Sequence, residues 1–297
     1  MLLDKKIPFR YIVGKIKVEL FYILVIGVMV NTVTRLFVHV IPAIPIVIPT
    51  FLGTAISVVL SFKLSQSYDR WWEARKIWGS IVNDSRNLVL QLIAFVALGN
   101  QETIKRIALR QIAWCYSLAE SLRGHDPLSA SWQFMTDEEI SRVAPHVNKP
   151  LALLRHHTED LKTLHHQGSM GQYEHVQLNR TVTALTNWMG MAERIKSTVF
   201  PATYRLFLHL IIYVFIVTLS ISLRDLESYI EIPLLMVVAA FFFLLERTAT
   251  HLQDPFSDRP TDTAMSAIAT NIEINIKQLL DLEQVPQPRQ PDDFYLK

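Results

Sequence analysis

The chain has a single cysteine, Cys115, so an intrachain disulfide framework and a thiolate zinc site are both excluded and packing alone must hold the fold. It also lacks an excess of either charge. Its 29 basic and 27 acidic residues leave a formal net charge of +2, which is not the balance of a nucleic-acid binder or of a disordered chain. No strand-like alternation and no internal repeat is visible. Nor is there a Ser-His-Asp pattern, an HExxH, a phosphate-cradling glycine loop or a pair of carboxylates inside an apolar segment, so no enzyme chemistry and no cofactor are expected. The ionisable residues of the apolar segments, such as Glu19, Arg35 and Glu246, fall mainly near their ends.

What the chain does have is apolar length. Half of its 297 residues are hydrophobic, and four runs stand out at about 19–41, 43–64, 204–223 and 230–246. Each is near the roughly 20 residues that cross a bilayer core of about 30 Å, the last being short. Lys5, Lys6, Arg10, Lys15 and Lys17 precede the first run as in a secretory leader, but no small-residue cleavage site follows and apolar character resumes at Leu36 to Val40. A retained membrane helix is expected there. Pro42, Pro45 and Pro49 lead into the second run, and Pro233 is assigned the same place at the start of the fourth, where a missing amide donor costs little. The loops near 42 and 224–230 hold few basic residues, while the N-terminus, 65–200 and the C-terminus hold nearly all the others. Both termini and the central segment are therefore expected on the cytoplasmic side.

The expected organisation is an N-terminal segment with two membrane helices (1–64), a helical cytoplasmic region (65–203), two further membrane helices (204–250) and a cytoplasmic C-terminal segment (251–297). Thr136 and Glu139 have capping-box spacing, and Pro150 precedes a plausible helix. The 80–122 stretch repeats apolar residues at helical period, and the proline-rich tail from about Val285 is expected to be extended or mobile. The pairs His156–His157 and His165–His166, with His175, invite a metal reading. Adjacent helical residues point apart, however, so a solvated surface and no metal are expected. His209 lies inside the third apolar run, where a neutral imidazole bonded to a neighbouring helix is the expectation and a functional group the alternative.

Residues 51–79 read FLGTAISVVLSFKLSQSYDRWWEARKIWG, and no Pro or Gly stands between Gly53 and Gly79. A helix starting in the apolar part has no reason to stop before the charged, tryptophan-rich part. At about 100° per residue, Thr54, Ser57, Val58, Ser61, Ser65 and Tyr68 share one face, and Leu52, Ile56, Val59 and Leu60 the other. A face of small and hydroxyl residues suits either close helix packing or a water-filled pore, and periodicity alone leaves both open.

The runs FLGTAISVVLSF and YDRWWEARKIWG, followed by ERIKSTVFPATY at 193–204 and LQDPF at 252–256, resemble the bestrophin family in wording and order, most closely its bacterial members. The resemblance implies an all-α homopentameric channel in a bacterial inner membrane, with four membrane helices per subunit. It would pass monovalent ions passively, chloride or other anions by family default, with a monovalent cation channel of the same architecture as the alternative and a scaffold or transporter further off. By position it implies a pore neck at Thr54, Val58 and Phe62, a pore-helix face including Ser57, Ser61 and Ser65, and a second constriction at Phe200. Family necks are commonly Ile and Phe, so Thr54 and Val58 imply a leakier neck with Phe62 as its main barrier. Where animal members place a calcium-binding acidic cluster, DPFSDRPTD sets Arg259 and Pro260 between Asp258 and Asp262, and no calcium activation is expected. The partners implied are ions, the bilayer and further copies of the chain, with no nucleic acid.

Overall fold

The computed structural model describes residues 8–198, 201–291 and 294–296. Every regular element among them is helical: α1 (Phe9–Gly14), α2 (Lys17–Leu36), α3 (Val47–Phe95), α4 (Gln101–Arg123), α5 (Asp137–Val143), α6 (Lys149–His166), α7 (Gln172–Ser197), α8 (Ala202–Ser222), α9 (Ser228–Gln253) and α10 (Met265–Leu279), with one 3₁₀ turn at Trp132–Phe134. The described parts of Lys5–Arg70 and Val199–Gln253 form one compact unit, and those of Trp71–Thr198 and Asp254–Lys297 another.

The first unit contains α2, the beginning of α3, α8 and α9. All four of these helices are long and apolar enough to cross a membrane. Its core closes on Ile23, Ile56, Leu60, Ile212 and Phe243, all buried. Outward-facing residues such as Leu210, Val237 and Phe241 are also apolar and are 60%, 68% and 59% exposed. An apolar outer face around an apolar core fits a lipid solvent and would be unstable in water. The fourth apolar helix is longer than its run of hydrophobic residues suggests, with 26 residues from Ser228 to Gln253. Pro233 consequently falls inside it rather than at its first positions. Among its polar ends, Glu246 and Glu231 are buried, which is what allows the helix to extend past the apolar run.

The expectation of a continuous α3 is met. It has 49 residues from Val47 to Phe95. At 1.5 Å per residue it is about 74 Å long, more than twice the apolar thickness of a bilayer, so it must continue outside one. The apolar period read over 80–122 belongs to two helices. Gly99, with φ +99°, turns the chain between α3 and α4, a backbone conformation that glycine adopts without Cβ strain.

The second unit wraps α4, which packs against α6, α7 and α10. Ile112 to Ala119 form a continuous buried run because neighbours cover α4 on all sides. The capping box at Thr136 forms as the spacing demands, with Glu139 N–H donating to Thr136 Oγ1 at 3.3 Å and Thr136 N–H to Glu139 Oε2 at 3.1 Å. Asn148 caps α6 by accepting from Leu151 N–H at 3.0 Å, with Pro150 in its first turn. The tail after α10 is extended but not loose: Arg289 Nε donates to Thr270 Oγ1 at 3.2 Å and Phe294 is buried.

His156 and His157 correct the surface expectation for the first histidine pair. Both are buried, because α6 is packed on α4 and α7 at once and its buried arc takes in consecutive residues. His157 Nε2 meets Gln111 Oε1 at 3.1 Å, and Gln111 Nε2 donates to Ser85 Oγ at 2.8 Å. Burial, and then the nearby Arg110, push His157 well below its ordinary value of 6.5. The folded state therefore holds this imidazole neutral while the unfolded chain can take up a proton near pH 6.5. Stability should be level above that pH and fall as the pH drops below it, by about 1.4 kcal/mol per pH unit for this one group. Denaturation of the purified protein between pH 8 and 5 should show a slope of this sign, and His157→Gln should reduce it, leaving the smaller share of His156, which burial also lowers.

Candidate functional site

On the first unit's part of α3, the hydroxyl-rich face is bare. Thr54, Ser57, Val58, Ser61, Phe62 and Ser65 are all exposed, Val58 at 51% and Phe62 at 66%. The opposite side supplies Ile56 and Leu60 to the core, with Leu52 and Val59 packed at its edge. Two hydroxyls of the bare face are turned into the helix. Thr54 Oγ1 donates to Thr50 O at 2.9 Å and Ser57 Oγ to Gly53 O at 2.8 Å. Each keeps its lone pairs outward and shows less polarity than a free hydroxyl would. Gly53 lets α8 come close: a Cβ there would stand 3.1 Å from Phe215. An apolar groove of about 590 Å³ runs beside the face, lined by Pro49, Gly53, Phe215, Val237 and Phe241 among others.

Behind this face is an anchor that the apolar pattern hides. Lys63 is 1% exposed, and its Nζ donates to Glu246 Oε1 at 2.8 Å and Thr250 Oγ1 at 3.0 Å, tying α3 to α9. Glu246 Oε2 faces His209 Nε2 of α8 at 3.3 Å, so His209 does turn toward a neighbouring helix. Tyr204 OH donates to Val59 O at 3.3 Å, a second link from α8 to α3. A further buried acid, Glu231, accepts from Asn31 Nδ2 and from Ser220 Oγ, the latter at 2.6 Å. Lys63 and Glu231 are polar residues inside apolar runs, the signal by which a sequence reading could have found them.

Phe200, the expected second constriction, lies outside the described residues. In the tryptophan-rich part of α3, Trp71 Nε1 donates to Thr261 O at 3.0 Å and Trp78 is fully buried, while Trp72 remains 47% exposed. Glu73 and Lys76, one helical turn apart, form an ion pair at 2.6 Å. His165 and His175 stack at 4.7 Å, but their nearest polar contacts are Met170 O and Asn179 Nδ2. No group of three or more side chains able to hold a metal occurs among the described residues.

Asp262 is committed to its own loop. It is 4% exposed, and its Oδ2 accepts from Ser257 N–H at 2.6 Å and Arg259 N–H at 3.1 Å. Burial pushes its pKa up, against the lowering effect of those donors. Asp258 adopts φ +60° and points toward Arg123 Nε at 3.6 Å. Asp262 is engaged by its own loop's amides and Asp258 stands beside a cation, so the pair is poorly suited to hold calcium. Calorimetric titration of the purified protein should therefore show no saturable calcium binding at micromolar concentrations; saturable binding that Asp262→Asn abolishes would refute this.

Four bilayer-length helices and a helix face that its own chain does not cover define a multispan helical membrane protein. Residues 9–278 match the family model described as bacterial/fungal bestrophin protein, and the chain belongs to that family. It is 28% identical over 247 residues to the voltage-dependent anion channel-forming protein YneE of Escherichia coli (strain K12), covering 83% of this chain and 80% of that one. Against RSc3414 of Ralstonia nicotianae, which carries the same description, identity is 28% over 237 residues, 78% of this chain and 76% of that one. In fold it is similar to the bacterial bestrophin homologue of Klebsiella pneumoniae, with a TM-score of 0.84 at 22% identity over 91% of this chain and all of that one.

Proposed function

We propose that five copies of this chain enclose a pore that passes monovalent anions such as chloride down their gradient. The observation that carries the reading is the bare face of α3. A side of a membrane helix with five exposed Thr, Ser or Val residues and one Phe is poorly suited to lipid, and no described residue of its own chain covers it. Facing a central axis, Thr54, Val58 and Phe62 would form three stacked rings one helical turn apart, with Ser57, Ser61 and Ser65 on their flank. Phe200 is proposed as a second constriction at the cytoplasmic end.

The rings carry no charge, so they would discriminate by size and ease of dehydration and would not set the sign of the ion. The choice of anions rests on the bacterial relatives, whose names describe anion channels. The distribution of basic residues supports a cytoplasmic side for both termini and the region 65–203, with 1–64 and 204–250 supplying the membrane part, and the bacterial relatives support an inner membrane. Transport is passive and involves no catalytic residue. Native mass spectrometry of the detergent-solubilised protein tests the assembly: five copies are expected, and a monomer or dimer would leave the bare face without a pore to line.

A further inference from the structure

Beyond the tryptophans, α3 carries Arg75, Gly79, Val82 and Arg86 at i, i+4, i+7 and i+11. At about 100° per residue these four positions fall in one stripe along the helix. Gly79 contributes no side chain, so the stripe is indented at its centre, and α10 stands opposite with Ile268 and Asn271. The result is a groove of about 630 Å³ within the second unit. That volume is in the range of about 300–1,000 Å³ usual for small-molecule sites.

The charges in this groove are not cancelled. Lys76 is neutralised by Glu73 at 2.6 Å, but neither Arg75 nor Arg86 has a carboxylate within ion-pairing distance among the described residues. Arg86 is held instead by a neutral acceptor, Asn275 Oδ1, which takes its Nε at 2.9 Å and Nη2 at 2.6 Å. An amide fixes the guanidinium in place and leaves its full positive charge. Arg75 lies along the floor, its Nη1 3.6 Å from where a Cβ on Gly79 would stand. Asn83 and Asn271 add amide donors between the two arginines.

We propose that this groove binds a multivalent phosphate-bearing anion. Guanidinium forks match phosphate oxygens two at a time, which a compact monovalent ion such as chloride cannot exploit. The two arginine Cα positions are separated by about 16 Å along the helix at 1.5 Å per residue, so a ligand with more than one anionic group is favoured over a single phosphate. The site requires neither the pore assignment nor a particular permeant ion.

The test uses the full-length protein in phosphatidylcholine nanodiscs, titrated calorimetrically with inorganic pyrophosphate at constant ionic strength. Saturable binding is expected, weakened at least about tenfold by the double substitution Arg75→Gln/Arg86→Gln. Gly79→Leu should weaken it as well, by filling the floor while both charges remain, and it decides the matter if the double variant does not fold. Should pyrophosphate fail to bind while discs containing phosphatidic acid raise the Tm in a manner that Gly79→Leu abolishes, the phosphate is that of a lipid headgroup and the site stands. Absence of saturable binding from both sources, or equal binding by the wild type and the folded variants, would overturn the proposal and assign the arginines to contacts with other copies of the chain.

Discussion

Phe62→Ala should raise the current through the reconstituted protein by about tenfold or more, since a fall of only about 1.4 kcal/mol in the cost of wetting the proposed neck is a factor of ten. Phe62 is the largest of the three proposed ring residues and is 66% exposed, so its ring is not spent on the chain's own core. Val58 is smaller, and Thr54 keeps its lone pairs outward even though its hydrogen is donated to Thr50 O. Of the three proposed rings, that of Phe62 would therefore hold back water most. Because the side chain is not packed within the subunit, the variant should keep the wild-type Tm, which separates a gating effect from damage to the fold. Thr54→Ile should act in the opposite direction by making the upper ring larger and drier. Single-channel recordings in planar bilayers would measure both, and an unchanged open probability and current in Phe62→Ala would remove Phe62 from the neck.

Replacing Lys63 by Met should destabilise the protein severely, by about 3–5 kcal/mol, because it leaves the carboxylate of Glu246 buried without its cation. Both side chains are at most 1% exposed, so solvent cannot screen the loss. Thr250 Oγ1, which donates to the same carboxylate oxygen at 2.8 Å, can retain only part of the stabilisation. Glu246→Leu alone should be comparably damaging, since it strands the ammonium. The double variant Lys63→Met/Glu246→Leu should recover much of the stability, because an apolar pair of similar size removes both desolvation costs together. Thermal unfolding of the three variants in one detergent measures this. Single variants as stable as the wild type would show that the pair does not anchor α3 to α9.

The fold was legible wherever one physical signal dominated locally. Four apolar runs, an α3 free of Gly and Pro between Gly53 and Gly79, and the spacing of Thr136 and Glu139 each translate into helices through a single rule, and each is found. The sequence pattern also separated the two sides of α3, placing Ile56 and Leu60 opposite Thr54, Ser57 and Val58. It failed where burial comes from several partners at once. His156 and His157 look solvated beside Arg155 and Thr158, yet α6 is covered on two sides and His157 meets Gln111 of α4. Lys63 is different: a charge within an apolar run is a visible signal, but its partner Glu246 lies 183 positions away. Such long-range pairing leaves no local trace. The groove between Arg75 and Arg86 is partly legible, since their common face follows from spacing, but its opposite wall on α10 does not.

The measurement that bears most directly on an anion-conducting pore is the reversal potential of the purified protein in a planar bilayer with asymmetric KCl. A current that reverses near the chloride equilibrium potential is expected. Reversal near the potassium equilibrium potential would contradict the anion reading while keeping a pore, and absence of current from protein confirmed as five-fold in mass would contradict the channel itself.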